Sequence, residues 1–321
     1  MINATDTHVD KLICPRAKSD VTSVGQGVNR QNLDKLITDA LAIEAQDAKE
    51  AGALGYMARA LVQATLPHSK PQSNEFERRN GAFTLVMLAP SKIGLPYGVI
   101  PRLMMAWMTT EAVRTKQREL VLGDSMSEFM SQLDMMPTGG RWGSITRLRD
   151  QSRRLFTTSV SCLYDGGGAA GESGFRIADR HLLWWDPQSP DQKSLFNSTV
   201  MLSERFYDEI RTSPVPIDMR AMKALKKSPL ALDIYFWLTY RLSYLRQARV
   251  IPWRALQMQF GSSYGTDAHG LRDFKRAFLR EMRKVSALYP KAKVGEGAGG
   301  LSLQPSATHI PRQLRAIVDR D

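Results

Sequence analysis

Two stretches of the chain are variations on one plan, and the doubling limits the folds that can satisfy both. In each, a short amphipathic helix is expected to lead through a polar, glycine-containing turn into a longer helix rich in arginine. The first runs from Ser125 to Val160 and contains MSEFMSQLD, MMPTGGRWG and SITRLRDQSRRLFTTSV. The second runs from Pro252 to Tyr289 as PWRALQMQFG, SSYGTDAHG and LRDFKRAFLREMRKVSALY. Both place Leu-Arg-Asp early in the basic helix, as Leu148-Arg149-Asp150 and Leu271-Arg272-Asp273. Helix, turn and basic helix is the helix-turn-helix layout, whose second helix enters the DNA major groove. A hairpin is predicted after each basic helix, Ser161–Tyr164 with Phe175–Ile177 in the first case and Lys291–Val294 with Leu301–Leu303 in the second. The fold class that fits is α+β, mostly helical, with tandem winged-helix domains and β-hairpin wings.

Charge points the same way. The 321 residues leave room for two domains with full cores, and the formal charge of +12 implies a polyanionic partner. The excess is concentrated: from Arg272 to Lys293 stand Arg272, Lys275, Arg276, Arg280, Arg283, Lys284, Lys291 and Lys293, against only Asp273 and Glu281. Cys14 and Cys162 are the only cysteines, and His8, His68, His181, His269 and His309 are scattered singly. Neither a disulfide framework nor a metal site has the spacing it needs, so no metal and no cofactor is expected. No apolar run approaches the ~18 residues of a membrane span and no signal-peptide core is present, so a cytoplasmic protein without membrane contact is expected.

Four regions follow from pattern and punctuation. Residues 1–80 form an N-terminal flexible and helical region of unknown role, with one or two amphipathic helices between Leu33 and Leu66 and a polar linker from Pro67 to Gly81. Arg78 and Arg79 in that linker read as exposed surface charge. Residues 81–192 and 193–306 are the two winged-helix domains, and 307–321 a loosely docked tail. Within them, Ala82–Leu88 and Arg118–Leu122 read as strands, Ile100–Lys116 as a methionine-rich core helix, and Pro229 as the first turn of a helix buried nearly all round.

The candidate DNA-binding residues of the first domain are Thr138, Gly139, Gly140, Arg141, Arg147, Arg149, Arg153 and Arg154. The turn residues could offer backbone N–H groups to a phosphate at a helix N-terminus, although glycine serves tight turns equally. The arginines can grip guanine edges in bidentate pairs or clamp phosphates, with an internal Arg149–Asp150 ion pair as the alternative for one of them. In the second domain, Arg272, Arg276, Arg280 and Arg283 make a basic stripe opposite Leu271, Phe274, Phe278, Met282 and Val285. Ser262, Ser263, Tyr264, Thr266 and His269 occupy the turn, where hydroxyls commonly meet phosphate oxygens. Lys275 and Lys284 would neutralise backbone charge or simply be solvated, and Lys275, Lys291 and Lys293 complete the candidate DNA-binding set. Enzyme readings lack support: there is no GxxxxGK[ST] loop, no close histidine pair, and the glycines from Gly166 to Gly174 lie between predicted strands.

The block Pro137-Thr138-Gly139-Gly140-Arg141-Trp142-Gly143 with ITRLRDQSRRLF resembles plasmid-encoded RepA-type replication initiators, the iteron-binding family related to the TrfA initiators. So do PVPIDMRAMKALKKSPLALDIYFWLTYRL from Pro214, QFGSSYG and FKRAFL, over roughly Ala82 to Ser306. The resemblance implies tandem winged helices on directly repeated sites of a double-stranded plasmid origin, opening of that origin, recruitment of the host helicase and host initiator, and a monomer–dimer equilibrium. An autorepressor acting as a dimer on an operator palindrome is the alternative. Gln132-Leu133-Asp134-Met135-Met136 resembles the pentapeptide by which partners bind the sliding clamp, but it overlaps a helix end whose apolar residues should be core.

Overall fold

The order helix–strand–helix–helix–strand–strand occurs twice, and both copies close a three-stranded sheet in the same order. In the computed structural model, which describes residues 30–311 apart from 167–168, 186–187, 194–196 and 262, the chain opens with α1 (Arg30–Ala45), β1 (Leu54–Met57), α2 (Arg59–Gln63) and a hairpin of β2 (Glu75–Asn80) and β3 (Phe83–Leu88). The first copy comprises α3 (Val99–Thr115), β4 (Glu119–Val121), α4 (Met126–Gln132), α5 (Ser144–Thr157), an inserted hairpin of β5 (Ser159–Gly166) and β6 (Ala169–Arg176), then β7 (Ala178–Leu182) and β8 (Thr199–Leu202). After α6 (Glu204–Thr212), β9 (Val215–Asp218) and α7 (Met219–Leu225) comes the second copy: α8 (Pro229–Tyr244), β10 (Arg249–Pro252), α9 (Trp253–Phe260), α10 (Ala268–Leu288), β11 (Val294–Gly297) and β12 (Gly300–Leu303). The sheets run β4-β8-β7 and β10-β12-β11. Helix makes up 44% of the described residues and every strand pair among them is antiparallel, so the α+β expectation stands.

Local chemistry explains where the helices begin. Ser125 accepts from the Glu128 N–H while the Glu128 carboxylate accepts from the Asp124 N–H, a reciprocal cap for α4. Ser203, Ser228 and Asp267 cap α6, α8 and α10 by accepting from the N–H groups of Phe206, Ala231 and Gly270, with Pro229 at the first turn of α8. In α3 the side chains of Met104, Met105, Trp107 and Met108 are buried, and α8 is buried continuously from Leu230 to Thr239, as a helix apolar on all sides requires.

Several expectations give way. The Leu33–Leu66 stretch is helical only in α1 and α2; Gly52, at φ +63°, turns the chain into β1, which pairs with β9 from Leu54↔Asp218 to Met57↔Val215. Gly55 sits so close to Met219 that an added Cβ would stand 2.4 Å from its sulfur. The stretch expected to be a polar linker carries β2, paired with β3 across Gly81 at φ +61°. Arg78 is buried there, its guanidinium 4.8 Å from the Phe76 ring and drawn down to about 10 by burial. The β5–β6 hairpin, expected to be the first wing, joins β3 and β2 in a separate four-stranded sheet, and much of its expected turn is paired strand. The strand pair that takes the place of β11 and β12 is β7–β8. Lines drawn at 80/81 and 192/193 therefore cut hydrogen-bonded hairpins.

The tail is docked as far as it is described, with residues 312–321 outside. Tyr235 Oη accepts from the Asp218 N–H, which leaves its proton for Nδ1 of His309 at 2.8 Å. The His309 ring stacks on Tyr289 at 4.6 Å, Tyr289 Oη donates to the Ala307 carbonyl, and Ile310 is buried.

The halves meet at one buried ion pair. Arg102 on α3 is fully buried and grips Asp233 on α8 in a fork, Nε to Oδ1 at 2.7 Å and Nη2 to Oδ2 at 2.6 Å. Its other N–H groups donate to the carbonyls of Leu66, Pro67 and Gly98. His68 Nε2 lies 2.7 Å from Asp233 Oδ2, and burial holds the imidazole below its ordinary pKa. Burial by itself would raise the Asp233 pKa, but Arg102 and His68 hold it below the usual carboxylate value. Asp233→Ala leaves Arg102 buried without its counter-ion, and a loss of ~3–5 kcal/mol is expected in urea unfolding; a loss under ~1 kcal/mol would mean the pair is dispensable.

Burial also lowers His309 to about 4 in the folded chain, against 6.5 for an ordinary imidazole. The unfolded chain then takes up the proton first as pH falls, so this contribution is complete above about 6.5 and shrinks toward pH 4. Between pH 7 and 5 the wild type should lose roughly 2 kcal/mol more than a His309→Gln variant, measured as the difference in the pH dependence of unfolding.

Candidate nucleic-acid interface

The exposed arc of α5 is built by elimination. Ile145, Leu148, Gln151, Ser152, Leu155 and Phe156 are buried, which turns Thr146, Arg147, Arg149, Asp150 and Arg153 outward. The side chains of Arg147, Arg149 and Arg153 make no ion pair or hydrogen bond among the described residues. Arg154 does not belong with them. Its Nε donates to Asp150 at 2.7 Å, its guanidinium lies 5.6 Å from the Tyr97 ring, and only 14% of its side chain is exposed. The internal partner of Asp150 is therefore Arg154, one helical turn on, and not the adjacent Arg149. Beside Arg149 and Arg153 a groove is lined by His181, Leu182, Leu183 and Trp184 from β7 and the turn after it. Sequence reasoning missed these residues because it assigned the hairpin role to β5–β6.

The turn before α5 is closed upon itself. Thr138 Oγ1 accepts from the Ser144 N–H, Thr138 N–H donates to Ser144 Oγ, and the Thr138 carbonyl accepts from the Ile145 N–H. Ser144 Oγ in turn donates to the Met136 carbonyl. Thr138 thus takes up the first two N–H groups of α5, behind the N-cap residue Gly143, and these are not free for a phosphate. Gly139 and Gly140 are exposed with open space around them, Gly140 at φ +85°. Arg141 is exposed, its guanidinium 5.1 Å from the Trp142 ring centroid.

The second basic helix follows the same logic. Phe274, Phe278, Met282 and Val285 are buried and Leu271 half-buried, so Arg272, Arg276, Arg280 and Arg283 face outward. Acidic neighbours occupy some of them: Arg276 bonds Asp273 at 2.8 Å, and Arg280 and Lys284 both bond the buried Glu281. Lys275 lies over the Trp253 ring and pairs with Glu296 on β11. Arg272, Arg283, Lys291 and Lys293 carry no ion pair among the described residues. In the turn, Ser262 lies outside the described residues. Ser263 Oγ is 3.2 Å from Ser69 Oγ, Tyr264 is half-buried against Phe274, and the Thr266 carbonyl accepts from Arg254. His269 is 70% exposed with Nδ1 3.1 Å from Asp273.

Gln132 and Leu133, which would have to leave the surface in a clamp-binding peptide, are committed to the fold. Gln132 Oε1 accepts from the Trp107 indole N–H, and Leu133 is buried. Among the described residues no cluster of His, Cys, Asp or Glu could hold a metal, and no helix is long and apolar enough to cross a membrane.

The family described as plasmid-encoded RepA protein matches residues 95–255. Crystal structures of domains 2 and 3 of RctB resemble the chain at 12% identity and TM-score 0.49, covering 76% of this chain and 97% of that one, and at 13% identity and TM-score 0.46, covering 76% and 94%. No curated protein matches.

Both basic helices start against a glycine with no room for a side chain. A Cβ on Gly143 would stand 2.1 Å from the Thr138 carbonyl oxygen, and one on Gly270 1.9 Å from that of Gly265. Gly143→Ala and Gly270→Ala should each cost ~1–3 kcal/mol, because backbone must move. Gly139→Ala, with nothing within 4 Å, should stay within ~0.5 kcal/mol. Thermal unfolding of the three variants checks the contrast.

Proposed function

Because the chain belongs to the plasmid-encoded RepA family, we propose that it is a replication initiator that binds directly repeated duplex sites at its origin through two winged-helix units. The units are α3 to β8 and α8 to β12, with α5 and α10 as reading helices and the β7–β8 and β11–β12 hairpins as wings. The observation that carries this reading is the repeated topology with a basic, outward-facing helix at the same place in each copy. Of the candidate residues, Arg141, Arg147, Arg149 and Arg153 in one copy, and Arg272, Arg283, Lys291 and Lys293 in the other, have no ion-pair partner among the described residues. Arginine without a partner is free to give its planar fork to guanine or phosphate. The two copies differ in these residues, so one chain reads an asymmetric sequence over about 20 base pairs, two half-sites a helical turn apart. Opening of adjacent A+T-rich DNA then draws on the binding and bending by several protomers. Recruitment of the host helicase and host initiator, implied by the resemblance, completes the proposal.

The test is a footprint of the purified protein on DNA flanking its own gene, with permanganate to reveal unpaired thymines. Protected direct repeats with reactive thymines beside them are expected. Protection of a promoter palindrome without melting would make an autorepressor the primary reading, and no protection at moderate salt would sink both. Neutralising about eight phosphates gives an expected log–log salt slope near −7. Arg149→Ala and Arg153→Ala should each weaken binding about tenfold, whereas Arg154→Ala should act mainly through stability.

A further inference from the structure

We propose that Trp142, supported by Arg141 and Met136, is an apolar wedge that stacks on a base of the bound duplex and unstacks that step. The inference rests on the DNA-binding reading and adds to it a second kind of contact. Trp142 is 79% and Met136 82% exposed, the two most exposed large apolar side chains among the described residues. Nothing in their own loop pulls them inward.

The loop holds them out. Its base is pinned to the first residue of α5 by the Thr138–Ser144 bonds and by Ser144 Oγ donating to the Met136 carbonyl. Gly143 packs against the Thr138 and Gly139 backbone, and Gly140 makes the left-handed bend that brings Arg141 and Trp142 to the tip. A presented indole loses little freedom when it binds, which is what a stacking contact needs.

The surroundings select nucleic acid over an apolar protein groove. The Arg141 guanidinium lies over the Trp142 ring at 5.1 Å, giving the ring one cationic neighbour and leaving indole surface open to a base. From Met135 to Arg149 the chain has Arg141, Arg147 and Arg149 and no acidic residue. A phosphate backbone is attracted to that stretch, and an apolar groove would gain nothing from it. Apolar side chains inserted at a base step kink duplexes in this way, most easily at flexible pyrimidine–purine steps. The second copy has no counterpart, since Tyr264 at the corresponding turn packs on Phe274 at 5.7 Å. Unstacking is therefore confined to the end of each site read by α5.

The full chain is tested on its footprinted origin duplex, comparing wild type with Trp142→Ala, Trp142→Phe and Met136→Ala. Affinity, permanganate reactivity inside the footprint and bend angle by circular permutation are read for each. For Trp142→Ala we expect the same footprint boundaries, about tenfold weaker binding, and loss of thymine reactivity at one end of each site. Trp142→Phe should retain part of both effects. Circular dichroism should be unchanged, since the indole contributes little to the core. Unaltered affinity, bend and reactivity in Trp142→Ala would overturn the wedge while leaving the DNA reading intact. A wild type that footprints no DNA would overturn both.

Discussion

The rest of the structure depends on the buried pair between Arg102 and Asp233. One partner stands on the core helix of the first repeat and the other on the core helix of the second, so the pair sets the register of α3 against α8. Two charges taken from water cost several kcal/mol each before their attraction returns it, and the return requires nearly ideal geometry. Here the fork is bidentate and the remaining guanidinium N–H groups find the carbonyls of Leu66, Pro67 and Gly98. A pair of leucines filling the same space at similar stability would tolerate sliding. The ion pair tolerates none, because a shift of one residue would leave a charge buried alone. Segment 66–68 is fixed by the same group, which ties the N-terminal elements to both repeats.

Local pattern in the amino-acid sequence reveals the helices better than it reveals the sheets. The apolar spacing in α5 and α10, the serine and aspartate caps, and the continuous apolar character of α8 are all consequences of residues close in the chain, and each can be read from a window of a dozen residues. The β4-β8-β7 sheet cannot be read so, because β4 and β8 are separated by two helices and an inserted hairpin. The glycine-rich β5–β6 hairpin follows the basic helix directly and therefore looks like the wing. Its outer face is claimed by β3, a pairing that depends on Phe83–Leu88 lying alongside Ser159–Tyr164. The burial of Arg78 was equally invisible, since an arginine in a polar stretch gives no sign that α9 will pack on its strand.

Within the site, the legible part was the position of the basic helices and the illegible part was which cations are spent. Asp150 takes Arg154 at i+4, Asp273 takes Arg276 at i+3, and Glu281 takes Arg280 and Lys284. Such spacings are visible in the chain, yet spacing alone does not choose between Arg149 and Arg154 for Asp150. The choice comes from Tyr97 and the Leu95 carbonyl, which lie in the loop before α3 and give Arg154 an inward seat.

The two repeats share a construction and differ in what it displays. Each basic helix starts against a glycine packed on turn backbone, Gly143 on Thr138 and Gly270 on Gly265, so the turn and the helix form one rigid unit in both. Rigid presentation lets a few side chains discriminate among sequences, because their positions are set before contact. In the first unit the turn projects Trp142 and Arg141; in the second it folds Tyr264 back and leaves His269 bonded to Asp273. A symmetric dimer of identical readers would favour a palindrome. On the proposed reading, two unlike readers whose core helices are joined by one buried ion pair would carry a built-in direction, and successive copies bound in the same direction would require direct repeats.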